Sequence, residues 1–192
     1  MLFGGTLLTL KEFRWHGRGG QGAWTASELL ARAAIHEGKY IQSFPEFGPE
    51  RMGAPVKAYT RISDEPINLH CAVYNPDLSI VMDPTLMATV PVAAGLGKKG
   101  ILIINTTKEP KKLKEELEMA EGSVWTVPAT EIAMRILGRL ITNTAMLGAV
   151  ARATEIVKME NIEQALKERF PGPLAEKNMG VIKEAYKEAK PE

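Results

Sequence analysis

The sequence predicts an α/β fold, a Rossmann-like three-layer sandwich with a mostly parallel, mixed sheet and C-terminal helices. Short apolar segments alternate along the chain with segments of helical periodicity, a pattern that is typical of a sheet covered by helices. The continuous apolar runs at residues 78–82 and 101–104 have the character of buried central strands. Residues 56–62 instead alternate apolar and polar side chains, as a half-exposed strand does.

The remaining elements follow in chain order. Strands are predicted at residues 13–16, 40–43, 56–62, 67–73, 78–82, 101–104 and 124–127, and helices at 24–36, 110–121, 129–137, 143–157, 161–170 and up to 187, with Asn161 as an N-cap. A turn at residues 64–66 predicts that strands 56–62 and 67–73 form a hairpin, and hence a mixed sheet. We expect one domain over residues 1–192, with a Rossmann-like core at 1–157 and a helical extension at 158–192.

Composition narrows the possible functions. Lys and Arg number 24 against 23 Asp and Glu, which argues against electrostatic binding to nucleic acid or to an anionic membrane. No membrane-length apolar run or secretory signal is visible, so a cytoplasmic location is expected. The single cysteine, Cys71, cannot supply the four thiolates of an iron–sulfur cluster. The sequence also predicts no metal site and no catalytic residue.

A glycine-rich motif lies between the first predicted strand and the first predicted helix. It consists of Gly17, Arg18, Gly19, Gly20, Gln21 and Gly22. Glycines let the backbone turn tightly, and the helix that follows presents unpaired N–H groups to an anionic phosphate. Arg18 and Thr25 are candidates for further contacts with that phosphate. The alternative is that the glycines only shape a tight turn and allow close helix packing.

The motif does not complete a known nucleotide site. A dinucleotide site requires an acidic residue about 20 positions after the glycines. Residues 41–43 supply none, and no Lys followed by Ser or Thr completes a Walker loop. The neighbouring His16 has two interpretations, a ligand contact or a hydrogen bond to the local backbone.

A second informative segment is the long loop at residues 44–55, which is rich in proline and glycine. Long loops in small domains are often functional, and aromatic residues with arginine are typical of interface hot spots. The predicted interface residues are Phe44, Glu46, Phe47, Glu50 and Arg51. The alternative is an ordered surface loop whose aromatic side chains join the core.

Four segments together carry a resemblance to a known family. They are residues 14–22, the loop at 43–55, residues 74–78 with 83–85, and Asn143 and Thr144 followed by 146–148. In order and spacing, over nearly the whole chain, they resemble the gamma subunits of pyruvate:ferredoxin oxidoreductases, within the 2-oxoacid:ferredoxin oxidoreductase gamma family. The glycine motif and the loop look more like the pyruvate and branched-chain members than the 2-oxoglutarate or indolepyruvate members.

The resemblance implies an accessory subunit of a complex that oxidatively decarboxylates a 2-oxoacid, forms an acyl-CoA and reduces ferredoxin. It implies alpha, beta and delta partners, which carry thiamine diphosphate and [4Fe–4S] clusters, while this chain carries no cofactor of its own. Our hypothesis is that the glycine loop helps bind coenzyme A and that the residue 44–55 loop contacts the thiamine-binding subunits. Two rival interpretations are a stand-alone Rossmann-type nucleotide-binding oxidoreductase and a purely structural assembly subunit.

Overall fold

A seven-stranded mixed sheet organises residues 10–46 and 52–192, the part of the chain that this computed structural model describes. The strands are β1 (Lys11–Arg18), β2 (Tyr40–Pro45), β3 (Pro55–Ser63), β4 (Leu78–Val81), β5 (Ile101–Asn105), β6 (Ser123–Val127) and β7 (Lys190–Pro191). Their order in the sheet is β2-β3-β1-β4-β5-β6-β7. β1, β4, β5 and β6 are parallel to one another, whereas β3 and β7 run antiparallel to their neighbours.

Helices cover both faces of this sheet. They are α1 (Ala23–Ile35), α2 (Pro110–Glu116), α3 (Ala129–Leu137), α4 (Asn143–Thr154), α5 (Met159–Arg169) and α6 (Gly172–Glu188), with a short 3₁₀ helix at Pro84–Ala88. Side chains alternate across β5, so that Ile103 joins the core beneath α1 and α4 while Leu102 and Ile104 join the smaller core beneath α2. The predicted α/β class and three-layer arrangement with a mostly parallel, mixed sheet are therefore confirmed.

The prediction that residues 56–62 and 67–73 form a hairpin is wrong. Residues 67–73 form no strand, and β3 pairs with β2 on one side and with β1 on the other. Because both edges of β3 are already occupied, the segment that follows it has no ladder to join. The amide of Gln42 instead donates hydrogen bonds to the carbonyl oxygens of Ile67 and Leu69, at 3.3 and 2.9 Å.

The C-terminal helices share the larger core. Residues 158–192, predicted as a helical extension, contain α5 and α6, whose Ile162, Leu166 and Ile182 are buried together with residues of α1 and α4. Asn161 does not cap α5, as was predicted, because the helix already begins at Met159. No helix of the described segments combines the length and the apolar character needed to cross a membrane.

A side chain from α1's end caps α5 in place of Asn161. Glu37 Oε1 accepts hydrogen bonds from the backbone N–H of Lys158, at 2.6 Å, and from Asn161 Nδ2, at 2.9 Å. A carboxylate at this position satisfies the N–H group of the N-cap residue and complements the positive end of the helix dipole. The start of α5 is thus anchored to the end of α1.

Candidate functional site

The glycine loop joins the end of β1 to the start of α1 at the edge of the sheet where the parallel strands end. Gly20 and Gly22 have φ angles of 93° and 77°, in the left-handed region that favours glycine. A Cβ atom at Gly22 would lie only 2.7 Å from Nδ2 of Asn143, which begins α4. The loop therefore makes a sharp strand-to-helix turn and packs closely against a second helix.

The N-terminus of α1 lacks any capping group of its own. Gly22 occupies the N-cap position without a side chain to accept a hydrogen bond, and the first turn contains no acidic residue. The first helical hydrogen bond runs from the N–H of Ala26 to the carbonyl of Gly22, at 3.0 Å. The preceding N–H groups and the positive end of the helix dipole are thus available to an external acceptor, for which an anion is best suited.

Arg18 connects the glycine loop to two other segments. Its Nε donates to Asp83 Oδ2 at 3.0 Å, its Nη1 to the carbonyl of Gly53 at 3.1 Å, and its Nη2 to Thr85 Oγ1 at 2.8 Å. A guanidinium group has five N–H donors, so these bonds leave two that have no partner within residues 10–46 and 52–192. Asp83 also balances much of the positive charge that the sequence had assigned to a phosphate contact.

Asp83 and Gln21 complete this connection. Gln21 Oε1 accepts from the backbone N–H of Arg18 at 2.7 Å, and its Nε2 donates to Asp83 Oδ2 at 3.0 Å. Asp83 Oδ1 also accepts from the N–H of Thr85 at 3.0 Å, so it caps the 3₁₀ helix. Burial raises the pKa of Asp83, but the hydrogen bonds from Thr85 and Gln21 and the charge of Arg18 outweigh it and hold that pKa below its ordinary value. The carboxylate is therefore charged and fixed.

The glycine loop and the long loop after β2 lie side by side. The N–H of Gly19 donates to the carbonyl of Ala54 at 2.9 Å, and the N–H of Gly53 donates to the carbonyl of Gly19 at 3.1 Å. The two segments that the sequence singled out separately thus form one edge of the molecule. Of the predicted interface residues, Phe47, Glu50 and Arg51 lie outside the described residues.

Phe44 and Glu46 occupy different environments. Phe44 belongs to β2, where its ring centroid lies 5.2 Å from that of Tyr59 and 5.5 Å from the guanidinium carbon of Arg61. Glu46 follows β2 and accepts hydrogen bonds from the Tyr59 hydroxyl and from Lys57 Nζ, the latter at 3.3 Å. Phe44 is thus packed within the sheet surface, whereas Glu46 borders a cavity.

This cavity has a volume of about 600 Å³ and lies between the two loops. Its described lining consists of Arg18, Gly19, Gly20, Gly22, Ala23, Trp24, Thr25, Pro45, Glu46, Met52, Val56 and Lys57. Five of the seven predicted cofactor-binding residues therefore meet at one pocket, while Gly17 packs near Ala23 and Gln21 binds Asp83. Sequence reasoning missed the apolar wall and Lys57, because β-strand alternation alone does not indicate that a strand end borders a cavity.

The charges at the pocket rim are paired. Burial raises the pKa of Glu46, yet the hydrogen bonds from Tyr59 and Lys57 and the charge of Lys57 prevail, so the pKa lies below its ordinary value. Burial and the bond to Glu46 raise the pKa of Tyr59, so its hydroxyl remains protonated and continues to donate. Glu46 and Lys57 therefore form an ion pair that is held in place by a buried tyrosine.

His16 is buried beside the pocket and is bound to Arg14 rather than to solvent. Arg14 Nε donates to His16 Nε2 at 3.1 Å, and the Arg14 guanidinium also donates to the carbonyls of Tyr74, Val92 and Ala94. Burial, followed by the charge of Arg14, lowers the pKa of His16 to about 3. His16 is consequently a neutral acceptor, and its hydrogen-bond partner is the Arg14 side chain rather than the local backbone that the sequence suggested.

We expect His16 to make the fold sensitive to acid. Its pKa is about 3 in the folded chain and about 6.5 when unfolded, so the unfolded state binds more protons between these values. Stability is thus highest above pH 6.5 and falls as the pH decreases towards 3, by roughly 2 kcal/mol at pH 5. Urea unfolding of wild type and of His16→Gln measures this effect, because the amide of the variant can still accept from Arg14 but does not titrate. The free energy of unfolding should depend less steeply on pH in the variant. Identical slopes would contradict the assignment.

Comparisons with known proteins place the chain among the subunits of one enzyme class. The family model for pyruvate ferredoxin/flavodoxin oxidoreductase matches residues 12–188. The chain is 54% identical over 175 residues to the pyruvate/ketoisovalerate oxidoreductases common subunit gamma of Thermococcus kodakarensis, covering 91% of this chain and 95% of that protein. It also resembles the crystal structure of pyruvate oxidoreductase subunit PORC from Thermotoga maritima, with a TM-score of 0.86, 41% identity, and coverage of 95% and 98%.

A more distant structure shares the fold. It is the 2-oxoglutarate:ferredoxin oxidoreductase of Magnetococcus marinus with 2-oxoglutarate, coenzyme A and succinyl-CoA bound. The TM-score is 0.76 at 16% identity, and the match covers 93% of this chain but 31% of the larger chain. The same architecture therefore occurs as one part of a longer polypeptide.

Proposed function

The chain belongs to the pyruvate ferredoxin/flavodoxin oxidoreductase family, in which it corresponds to the gamma subunits, and from this premise we propose that it helps bind coenzyme A and packs on the thiamine-diphosphate subunits. It is a subunit of a pyruvate, or more broadly 2-oxoacid, ferredoxin oxidoreductase. The redox groups of the reaction would lie on other subunits, and this chain would contribute a ligand site and a contact surface.

The observation that carries the coenzyme A proposal is the uncapped start of α1 at the floor of a 600 Å³ pocket. Coenzyme A has a pyrophosphate and a further phosphate, and the N-terminus of a helix preceded by glycines suits such groups. The absence of an acidic residue in the first turn leaves the partial positive charge of the helix unopposed. The Magnetococcus marinus enzyme, which shares the fold, has coenzyme A bound.

The residues of the pocket would have different roles in binding. The glycines permit close approach of the ligand to the backbone, and Thr25 presents its hydroxyl from the first turn of α1. Arg18 would direct two N–H donors, unpartnered in the described part of the chain, to the ligand, while its other bonds hold the two loops together. The proposed binding set is Gly17, Arg18, Gly19, Gly20, Gln21, Gly22 and Thr25, with Gly17 and Gln21 acting through the shape of the loop.

The second part of the proposal concerns the partners. We assign Glu46 and Phe44, with Phe47, Glu50 and Arg51 outside the described residues, to the contact with the thiamine-binding subunits. Glu46 supports this assignment because it is charged, fixed by Tyr59 and located at the exposed edge of the molecule. Alpha, beta and delta subunits would supply thiamine diphosphate and the [4Fe–4S] clusters, ferredoxin would accept the electrons, and the whole complex would be cytoplasmic.

The native complex, isolated through an affinity tag on this chain, tests both parts. A photoreactive coenzyme A analogue should label the tryptic peptides of this chain that contain Arg18 and Thr25, and excess coenzyme A should abolish the label. Chemical cross-linking of the same preparation should join lysines near the long loop, such as Lys57, to a thiamine-binding subunit. Labelling confined to other subunits would refute the coenzyme A role, and a loop without any cross-link would refute the partner contact.

A further inference from the structure

Trp24 is a large aromatic side chain that the fold leaves in water. It is the second residue of α1 and is 54% exposed, whereas Trp15 in β1 is fully buried. Indole rings that serve the core are covered, and those that remain exposed often lie where a ligand or a partner binds. The Trp24 side chain is therefore available to a ligand or a partner.

Trp24 lines the pocket that the glycine loop borders. Other apolar residues of the lining are Pro45, Met52 and Val56, and Met52 is 95% exposed. The polar side consists of the glycine backbone and the uncapped first turn of α1. A single cavity of about 600 Å³ thus combines a flat aromatic surface with a site suited to negative charge.

This combination matches one half of coenzyme A better than the other. The nucleotide half has a flat purine ring within a few bonds of its phosphates, whereas the pantetheine half is a flexible amide chain without an aromatic ring. Trp24 itself belongs to the helical turn whose N–H groups have no partner among the described residues, so the ring and the anion site share one turn of helix. We infer that the Trp24 indole is the stacking surface for the adenine ring of coenzyme A. The inference rests on the proposed function, because it concerns a part of the same ligand.

The alternative to a nucleotide is an apolar side chain of a partner subunit that packs against Trp24. Such a side chain would exclude water from the start of α1 without offering an acceptor to its N–H groups. Burying N–H groups without a partner is unfavourable, whereas a nucleotide supplies the ring and the acceptors together. The geometry thus favours the nucleotide.

Isothermal titration of the native complex tests the inference. Trp24→Leu should weaken the binding of coenzyme A and of adenosine 3′,5′-bisphosphate by at least about fivefold, which corresponds to the lower range of base–aromatic stacking. Binding of 4′-phosphopantetheine should not change, and Trp24→Phe should retain most of the affinity. Tyr40→Leu is the matched control, since Tyr40 is 50% exposed and begins β2 at the end remote from Pro45.

The outcomes separate the inference from the proposed function. If photolabelling shows coenzyme A at the glycine loop but Trp24→Leu binds all three ligands normally, the stacking role is refuted and the proposed function stands. If coenzyme A does not label this chain at all, both fail. If Trp24→Leu loses partner subunits during gel filtration while its coenzyme A affinity is normal, the indole is a protein contact and the inference is overturned.

Discussion

Replacing Thr25 with aspartate is expected to weaken coenzyme A binding by at least about fivefold while leaving the chain as stable as wild type or more so. Thr25 is the third residue of α1 and lines the pocket. A carboxylate there lies where a ligand phosphate would approach the helix, and two like charges about 4 Å apart repel by roughly 1 to 4 kcal/mol at the edge of a protein. A tenfold loss of affinity corresponds to about 1.4 kcal/mol.

The same substitution should help the fold. The first turn of α1 has no acidic residue, and a carboxylate near a helix N-terminus contributes about 0.3 to 1 kcal/mol. A loss of affinity together with a gain in stability would distinguish a charge effect from damage to the site. Thr25→Asn, which matches aspartate in size but is neutral, is the control, and titration calorimetry with thermal unfolding measures both quantities. Equal losses of affinity in the two variants would indicate a shape effect, and unchanged affinity in Thr25→Asp would exclude a phosphate at this helix.

The sequence was informative wherever the determining interaction was local. The glycine motif lay between an apolar strand and a helical period, and that context was enough to place a tight strand-to-helix turn at Gly22. Buried strands β4 and β5 followed from their continuous apolar runs, because strands covered on both faces have no polar side. The single cysteine likewise excluded an iron–sulfur cluster, since the number of thiolates does not depend on the fold.

Long-range interactions were not accessible in the same way. Arg18 has a basic side chain beside a glycine motif, which suggests a phosphate contact, yet its guanidinium binds Asp83, 65 residues further along the chain. A strand at residues 67–73 was predicted to pair back after the turn at residues 64–66, and only the sheet order reveals that β3 has no free edge for it. The cap of α5 comes from Glu37, 121 residues before Lys158, so no pattern near the helix could have indicated it.

Gly148→Ala is expected to destabilise the chain by about 2 kcal/mol, although alanine is the better helix former. Gly148 lies in α4, where a Cβ atom would stand 2.4 Å from the carbonyl oxygen of Ile182 and 3.1 Å from the Cβ of Ala185, both in α6. The nearest atom belongs to the helix backbone, so no side chain can rotate away and the two helices must separate. Overpacking typically costs about 1 to 3 kcal/mol, and helix propensity offsets about 1 kcal/mol of a larger clash.

Gly180→Ala provides the matched control in the partner helix. A Cβ atom at Gly180 would lie 3.9 Å from Ile136 Cγ2, an ordinary van der Waals contact, so only the gain in helix propensity remains. Urea unfolding should therefore show Gly180→Ala about 0.5 to 1 kcal/mol more stable than wild type and Gly148→Ala less stable. Thermal midpoints should differ in the same order.

Because α4 begins at Asn143, which packs on Gly22, a shift of α4 would also reach the glycine loop. Gly148→Ala should thus also weaken coenzyme A binding. Equal stabilities for the two variants would show that the α4–α6 interface is not close-packed.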